Sequence, residues 1–177
     1  MVLMVVVQVV VAVRLLAAGA GMVREPTATR IAVARYRIVP VSLLVPTAVV
    51  LPVAELAIGA LLLTGVTVQP AAFAAVVLHA AFAMAISVNL LRGRSFDCGC
   101  RGGGRVIDWT LVLQNLVAAA AAASLVAFPP TRLSGTDMVA VIMLATIAAF
   151  SARLLVTARQ VAVLAGRVDR LMTRSSI

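Results

Sequence analysis

Residues 71–91 read AAFAAVVLHAAFAMAISVNLL, a predominantly apolar stretch without Asp, Glu, Lys or Arg. As an α-helix, about 20 residues of this kind extend roughly 30 Å, which matches the hydrocarbon core of a bilayer. The stretch does not alternate between apolar and polar side chains, as a membrane-spanning β-strand of about ten residues does. Because lipid cannot hydrogen-bond the backbone, a helix is the structure that remains. The sequence therefore predicts a transmembrane helix at 71–91.

Four more apolar runs of similar length flank this one, at 2–20, 43–66, 106–128 and 138–156. Of the 177 residues, 63% are hydrophobic and 12% are charged, and the mean hydropathy is +1.14. A soluble domain has roughly half apolar and about a quarter charged residues. We therefore predict an all-α integral membrane protein with five transmembrane helices and no separate soluble domain.

The formal net charge is +9, and every basic residue is an arginine. A basic chain can bind nucleic acid, or it can follow the positive-inside rule of membrane proteins. The apolar content favours the membrane, so the predicted partner is the lipid bilayer and not nucleic acid. Five spans would place the arginine-rich first loop, third loop and C-terminal tail on one face, and Arg132 on the other. The rule predicts that the arginine-rich face is cytoplasmic.

The first loop contains an amphipathic segment at 27–39. Ile31, Ala34 and Ile38 recur at helical spacing, and Arg30 lies elsewhere around the turn. This pattern is typical of a helix that lies in the membrane interface with its apolar stripe toward lipid. A plain basic loop is the alternative.

The third loop contains both cysteines of the chain, in the segment RGRSFDCGCRGGGR at 92–105. Cys98 and Cys100 can form a disulfide only if their Cα atoms come within about 7 Å, and Gly99 favours the required turn because it has no Cβ. Such a small ring is strained, and strain makes a disulfide more oxidising and more active in exchange. From the motif alone, two alternatives stay open. The two thiolates could bind Cu(I), which prefers soft ligands, or the cysteines could be incidental or lipidated.

Polar side chains also occur inside the predicted spans, and the most informative are Arg14, Glu55, His79, Asn89, Gln114 and Asn115. Polar residues are costly in lipid, so they mark either a functional cavity or contacts between helices. Helical rise places these residues between mid-membrane and the membrane face that carries the cysteine loop. All of them except His79 are therefore candidates for one pocket that binds a small molecule. Arg14 and Glu55 could balance each other's charge there, whereas His79 is predicted to make a helix–helix contact. Structural contacts between helices are the alternative for the whole set.

In their order along the chain, these motifs resemble the MauE family of methylamine-utilisation membrane proteins, which belongs with the DoxX-like four-helix proteins. The similarity extends over 2–128. Its most specific element is the Asp-Cys-Gly-Cys sequence at 97–100, which follows an Arg-Gly pair. The other matching elements are Arg14, LPVAEL at 51–56, NLLRG at 89–93, Trp109 and Asn115.

The resemblance implies a role in disulfide formation or transfer of reducing equivalents for periplasmic proteins, beside a thioredoxin-like partner. By position it implicates Cys98 and Cys100 as a redox pair, with Arg14 and Glu55 as matching intramembrane residues. We therefore predict a bacterial plasma-membrane protein whose cysteine pair exchanges with a thioredoxin-like protein or a disulfide-containing client, with quinone as the candidate electron carrier. The alternative is a non-enzymatic assembly factor or small-molecule carrier, in which the cysteines only hold the loop together.

The chain also departs from the family pattern. Arg101 stands where the family commonly has Phe followed by Gly. Residues 129–177, with the fifth span and a basic amphipathic tail, lie outside the four-helix domain expected at 1–128. Two inferences disagree on which side of the membrane the 96–105 loop lies. A periplasmic function needs this loop outside the cytoplasm, whereas the arginine distribution favours the cytoplasmic face.

Overall fold

The structure, a computed structural model, describes residues 2–98 and 106–130. Within these residues it has five α-helices and one short 3-10 turn at Val41–Leu43. The helices are α1 Val2–Arg24, α2 Pro26–Tyr36, α3 Leu44–Thr64, α4 Val68–Leu91 and α5 Trp109–Ala127. All of them except α2 are long and apolar enough to cross a membrane, so the four predicted spans in this part of the chain are confirmed. The predicted fifth span at 138–156 and the basic tail lie outside the described residues.

The four long helices bury small side chains and expose large apolar ones. The main core cluster is built largely from alanines of α1, α4 and α5, with leucines between them: Ala12, Leu15, Leu62, Ala71, Ala72, Ala75, Ala122 and Leu125. Large apolar residues face outward on every one of these helices, for example Val10, Val53, Phe73 and Leu113. Such a surface would be unfavourable in water, whereas lipid tails solvate it. The distribution supports a multi-pass membrane protein.

Two glycines allow α1 and α3 to cross at very short range. A Cβ atom on Gly19 would lie 3.0 Å from the Pro52 carbonyl oxygen and 3.1 Å from the Glu55 Cβ. On the other helix, a Cβ on Gly59 would lie 3.0 Å from the Ala12 carbonyl oxygen. Small residues of this kind let helix backbones approach each other in membranes, where packing replaces the hydrophobic effect as the driving force. The crossing fixes the position of Glu55 against α1.

The short helix α2 confirms the helix predicted at 27–39. It begins with Pro26, which favours the first turn of a helix, and ends at Arg37, whose left-handed backbone has φ 49°. Its buried residues are Thr29, Ala32 and Val33. In the predicted apolar stripe, Ile31 and Ile38 are each 48% exposed, which agrees with a stripe that faces lipid.

The buried side of α2 packs on the bundle. It contacts α3 and, less extensively, α1 and α4. The Thr29 hydroxyl donates a hydrogen bond to the Met22 carbonyl oxygen at 3.2 Å and to the Glu25 carbonyl oxygen at 3.1 Å. Because that hydroxyl is satisfied within the fold, a polar residue can occupy the packed side while Ile31 points outward.

Candidate functional site

The chain turns back sharply where α4 ends. Gly93 has φ 66°, a left-handed conformation that suits glycine at the end of a helix. Its N–H donates to the Leu90 carbonyl oxygen at 2.9 Å, and the Arg94 N–H donates to the Asn89 carbonyl oxygen at 3.0 Å. These bonds satisfy two carbonyls at the end of α4 and direct the following residues back toward the bundle.

Arg94 joins the first and third loops at the same end of the bundle, as the sequence predicted. Its Nη1 donates to Asn89 Oδ1 at 2.9 Å and to the Tyr36 carbonyl oxygen at 3.4 Å. The guanidinium lies over the Phe96 ring, 5.6 Å from its centre, and the Phe96 ring packs edge-on against Tyr36 with 5.0 Å between centroids. Cation–π and aromatic contacts of this kind stabilise the start of the loop.

Asn89 is part of the network that holds Arg94 at the start of the loop. It is fully buried, and its Nδ2 donates to the Ala85 carbonyl oxygen at 2.9 Å while its Oδ1 accepts from Arg94. The side chain does not line the polar cavity described below. The sequence placed Asn89 in a pocket because it could not show that an arginine five residues later would return to meet it.

A second set of backbone contacts closes the base of the thiol loop. Asp97 and Val106 form an antiparallel bridge, and the Ile107 N–H donates to the Phe96 carbonyl oxygen at 2.9 Å. Asp108 then caps α5, since its Oδ1 accepts from the Leu111 N–H at 2.7 Å. Residues 99–105, with Cys100, lie outside the described part of the chain.

Cys98 is buried inside the bundle rather than presented on a surface loop. Its side chain is 6% exposed and packs with Ile86, Ile107 and Leu111, among others. Ile86 precedes the end of α4 at Leu91 by five residues, or about 7 Å of helical rise. The loop therefore re-enters the bundle and carries the Cys98 thiol below the end of α4.

The thiol lines a cavity of about 140 Å³ to which α1, α3, α4 and α5 each contribute polar side chains. The polar residues around it are Arg14, Tyr36, Glu55, His79, Asp97, Gln114 and Asn115. Four of the five residues that the sequence proposed for a pocket, namely all except Asn89, thus share one cavity with Cys98. His79 was predicted to make a helix–helix contact, but it lines this cavity and its Nδ1 bonds within its own helix. Sequence reasoning missed Tyr36 and recognised Asp97 only as part of the family motif, because neither lies in a predicted span.

Glu55 is a buried residue of this cavity whose hydrogen bonding is incomplete within the described part of the chain. It is 3% exposed, and its Oε2 has no hydrogen-bond partner among the described residues. Arg14 interacts electrostatically with Glu55 and also with His79. A carboxylate buried in this way needs both a counter-charge and hydrogen-bond donors. Arg14 supplies the counter-charge, and the cavity leaves room for donors.

His79 and Asn115 present acceptors at the same cavity. The Nδ1 of His79 lies 2.8 Å from the Ala75 carbonyl oxygen, which can only accept, so Nδ1 carries the hydrogen and Nε2 of the neutral ring is an acceptor. Asn115 Nδ2 donates to the Leu111 carbonyl oxygen at 2.9 Å, which leaves its Oδ1 as an acceptor. In the part of the chain that the structure describes, no group of three or more His, Cys, Asp or Glu side chains is placed to bind a metal ion.

An apolar groove of about 260 Å³ also borders Cys98. Residues of α2, α3 and α4 line it, among them Val33, Leu51 and Leu78. Tyr36, Phe82 and Cys98 line both the groove and the polar cavity. The thiol is therefore positioned where a polar compartment inside the bundle meets an apolar one. Sequence reasoning missed this groove, because its walls come from helices that are distant in the chain.

Comparison with known proteins agrees with these features. The family described as "Methylamine utilisation protein MauE" matches residues 1–128, which include the four described spans and the thiol loop. The chain is 42% identical to the methylamine utilization protein MauE of Paracoccus denitrificans over 93 residues, which are 51% of this chain and 50% of that protein. It is 42% identical to the methylamine utilization protein MauE of Paracoccus versutus over 117 residues, 64% of this chain and 63% of that protein.

The chain thus covers between one half and just under two thirds of the length of these relatives. No solved structure matches the chain. The family match covers both the polar cavity and the Asp-Cys-Gly-Cys motif beside it. The chain belongs to the MauE family.

Proposed function

We propose that this chain is a membrane-embedded thiol–disulfide redox protein in which Cys98 and Cys100 are the exchanging pair. The observation that carries the proposal is the position of Cys98, a buried thiol between a polar cavity and an apolar groove. A cysteine that only held the loop together would need neither compartment. The names of its relatives suggest that the exchange serves methylamine utilisation. We propose that it does so by forming disulfides in a client protein or by passing reductant to a thioredoxin-like partner.

The burial of Cys98 suggests different roles for the two sulfurs. A protein partner has to bring its own sulfur into contact with the sulfur that it attacks, and a side chain that is 6% exposed does not allow this. Cys100 is therefore the sulfur that meets the partner, and Cys98 is the resolving sulfur.

In the oxidative direction, a partner thiolate attacks Cys100 of the Cys98–Cys100 disulfide and forms a mixed disulfide, while Cys98 leaves as thiolate. The second thiolate of the partner attacks the partner's own sulfur in the mixed disulfide and releases Cys100. The partner loses two electrons and becomes a disulfide, and the cysteine pair gains these two electrons. The two protons of the partner's thiols are balanced by the two protons that the reduced pair takes up.

The apolar groove fits a lipid-soluble quinone as the next electron carrier. Its walls are almost entirely apolar, and it reaches Cys98 through Tyr36 and Phe82. The residues that would hold the ring and tail are Val33, Leu51, Leu78 and their neighbours in the groove. When bound, a quinone supplies an acceptor for two electrons and two protons, which is what the reduced pair has to release.

Trapping of the partner tests the redox proposal. In Cys98→Ser the resolving sulfur is missing, so a mixed disulfide between Cys100 and the partner should accumulate on non-reducing gels. Cys100→Ser is the matched control and should trap little. The wild-type pair should titrate with a midpoint above the roughly −300 mV below which structural disulfides sit. Equal trapping by both variants would contradict the assigned roles.

Filling the groove tests the quinone proposal. Ala81 lines the groove on α4, and Ala81→Trp should slow reoxidation of the reduced pair by a short-chain quinone at least tenfold. Val77→Trp is the control, because Val77 is exposed on the same helix and lines neither compartment. Equal reoxidation rates in both variants would exclude the groove as the carrier site.

A second function is favoured by one observation, the incomplete hydrogen bonding of Glu55 in a cavity of about 140 Å³. A carrier or assembly factor could bind a small polar molecule there, with cysteines that only hold the loop together. The Cys98→Ser/Cys100→Ser double variant distinguishes the two. A redox protein loses its function in that variant, whereas a carrier keeps it.

For location, we propose the bacterial plasma membrane, with the fifth span at 138–156 as an additional crossing. The positive-inside rule then places the thiol loop on the cytoplasmic face. A periplasmic client would require the opposite orientation, so the side of the membrane also decides which partners are accessible.

A further inference from the structure

We propose that Glu55 is the proton acceptor for the Cys98 thiol, and that the two groups share one proton through ordered water in the polar cavity. The inference rests on the proposed thiol chemistry and adds the group that ionises the buried sulfur.

The first support is the state of Glu55. The residue is 97% buried, its Oε2 lacks a partner among the described residues, and it lines the same cavity as Cys98. A buried carboxylate oxygen needs a hydrogen-bond donor. The α1–α3 crossing at Gly19 packs the Glu55 Cβ against α1.

The second support is the size and polarity of the cavity. Its volume of about 140 Å³ is many times the ~10–15 Å³ that one water requires. Water bound there finds the Glu55 carboxylate, the His79 Nε2 acceptor and the Asn115 Oδ1 acceptor, together with Arg14 as a donor. Two to four polar partners are what a buried water needs.

Charged and titratable groups reach this cavity from every side: Arg14 from α1, Tyr36 from α2, Glu55 from α3, His79 from α4 and Asp97 from the loop, while α5 contributes the amides of Gln114 and Asn115. Arg14 stays protonated and can only donate. The Glu55 Oε2 is the carboxylate oxygen of this set that lacks a partner in the described structure. It is therefore the acceptor that the geometry favours.

The transfer breaks the S–H bond of Cys98 and forms an O–H bond at Glu55 Oε2, with water passing the proton between them. The negative charge moves from the carboxylate to the sulfur, and no electron changes hands. The net charge of the cavity is unchanged, so Arg14 balances it before and after the step. A buried thiolate can form in this way without leaving an uncompensated charge in the bundle.

The test uses the purified full chain with Cys100→Ser, so that Cys98 is the remaining thiol. Its alkylation by N-ethylmaleimide, a small neutral reagent, is followed over a wide pH range. If the two groups share a proton, the rate profile should have two inflections, because coupled groups titrate as a pair. Glu55→Gln should show one inflection, so that the ratio of its rate to wild type changes at least tenfold across the range. Glu55→Asp should retain both inflections.

Glu25→Gln is the matched control, since it makes the same chemical change at an exposed glutamate and should leave both inflections in place. A rate ratio for Glu55→Gln that is constant with pH would show only a structural effect and would overturn the proposal. The same loss of an inflection in Glu25→Gln would overturn it as well.

A second measurement does not depend on the folding of Glu55→Gln. The infrared band of the protonated Glu55 carboxyl can be followed against pH in Cys100→Ser and in the same protein with Cys98→Ala added. Coupling is reciprocal, so removal of the thiol should change the Glu55 titration from two steps to one. An unchanged titration refutes proton sharing. None of these readouts needs redox activity, so failure of partner trapping alone would refute only the proposed function.

Discussion

At the scale of single residues, the most demanding feature is a pair of ionisable side chains of opposite type inside the bundle. Arg14 on α1 and Glu55 on α3 line one cavity and interact electrostatically. Each charge would be very costly in lipid alone, and each reduces the cost of the other.

Removing one charge should therefore be worse than removing both. Arg14→Met or Glu55→Gln alone should destabilise the protein by about 3–5 kcal/mol, because the remaining charge is buried without compensation. The double variant should recover part of this loss. The measurement is thermal or denaturant unfolding of the four proteins in one detergent, analysed as a double-mutant cycle. Additive effects would mean that the two charges do not stabilise each other.

At the scale of elements, the crossing of α1 and α3 determines where the polar residues meet. Gly19 and Gly59 face the partner helix at positions where any Cβ would touch backbone. Backbone atoms cannot move aside as a flexible side chain can, so the contact depends on glycine at both positions. The reciprocal arrangement, one glycine on each helix, fixes the rotation of α3 and thus the direction of Glu55.

Gly59→Ala should destabilise the bundle although alanine favours helices by about 1 kcal/mol. The new Cβ would lie 3.0 Å from the Ala12 carbonyl oxygen, so the helices must separate, at a cost of about 1–3 kcal/mol. Ala60→Val is the control, because Ala60 is exposed on the adjacent position of α3. Thermal unfolding of both variants in detergent checks the prediction. An unfolding temperature for Gly59→Ala at or above wild type would contradict the close crossing.

At the scale of the whole molecule, the bundle has two chemically different ends. The first and third loops meet at one end through Arg94, Tyr36 and Phe96, together with most of the arginines of the described residues. The opposite end, between α3 and α4, is a short connection at 65–67 without charge. This asymmetry determines the orientation that the positive-inside rule predicts, with the thiol loop in the cytoplasm.

Two introduced cysteines can measure this orientation in a Cys98→Ala/Cys100→Ala background. Arg35→Cys marks the arginine-rich end, and Val66→Cys marks the opposite end; both positions are exposed. In intact cells an impermeant maleimide should label Val66→Cys directly and Arg35→Cys only after the membrane is opened. The reverse pattern would place the thiol loop outside and favour a periplasmic client.

The sequence by itself determined the elements of this protein and the chemistry that they contain. Whether a segment spans a bilayer depends on its own length and apolarity, so the four spans could be predicted within a few residues. The polar residues of the cavity could be identified for a related reason, because a polar side chain in a span is costly in lipid. These residues are Arg14, Glu55, Gln114 and Asn115. The cysteine pair and the family motif around it are also read from a few consecutive residues, so they too could be identified from the sequence.

Only the tertiary structure decided what these residues face. Four features depend on which sides of separate helices meet. They are the burial of Cys98, the bonding of Asn89 to Arg94, the packed face of α2 and the apolar groove. The spans are apolar around their whole circumference, so their hydrophobicity does not indicate which side points inward. That choice follows from close backbone contacts such as those at Gly19 and Gly59, and from Arg94 reaching across two loops, which are interactions between positions far apart in the chain.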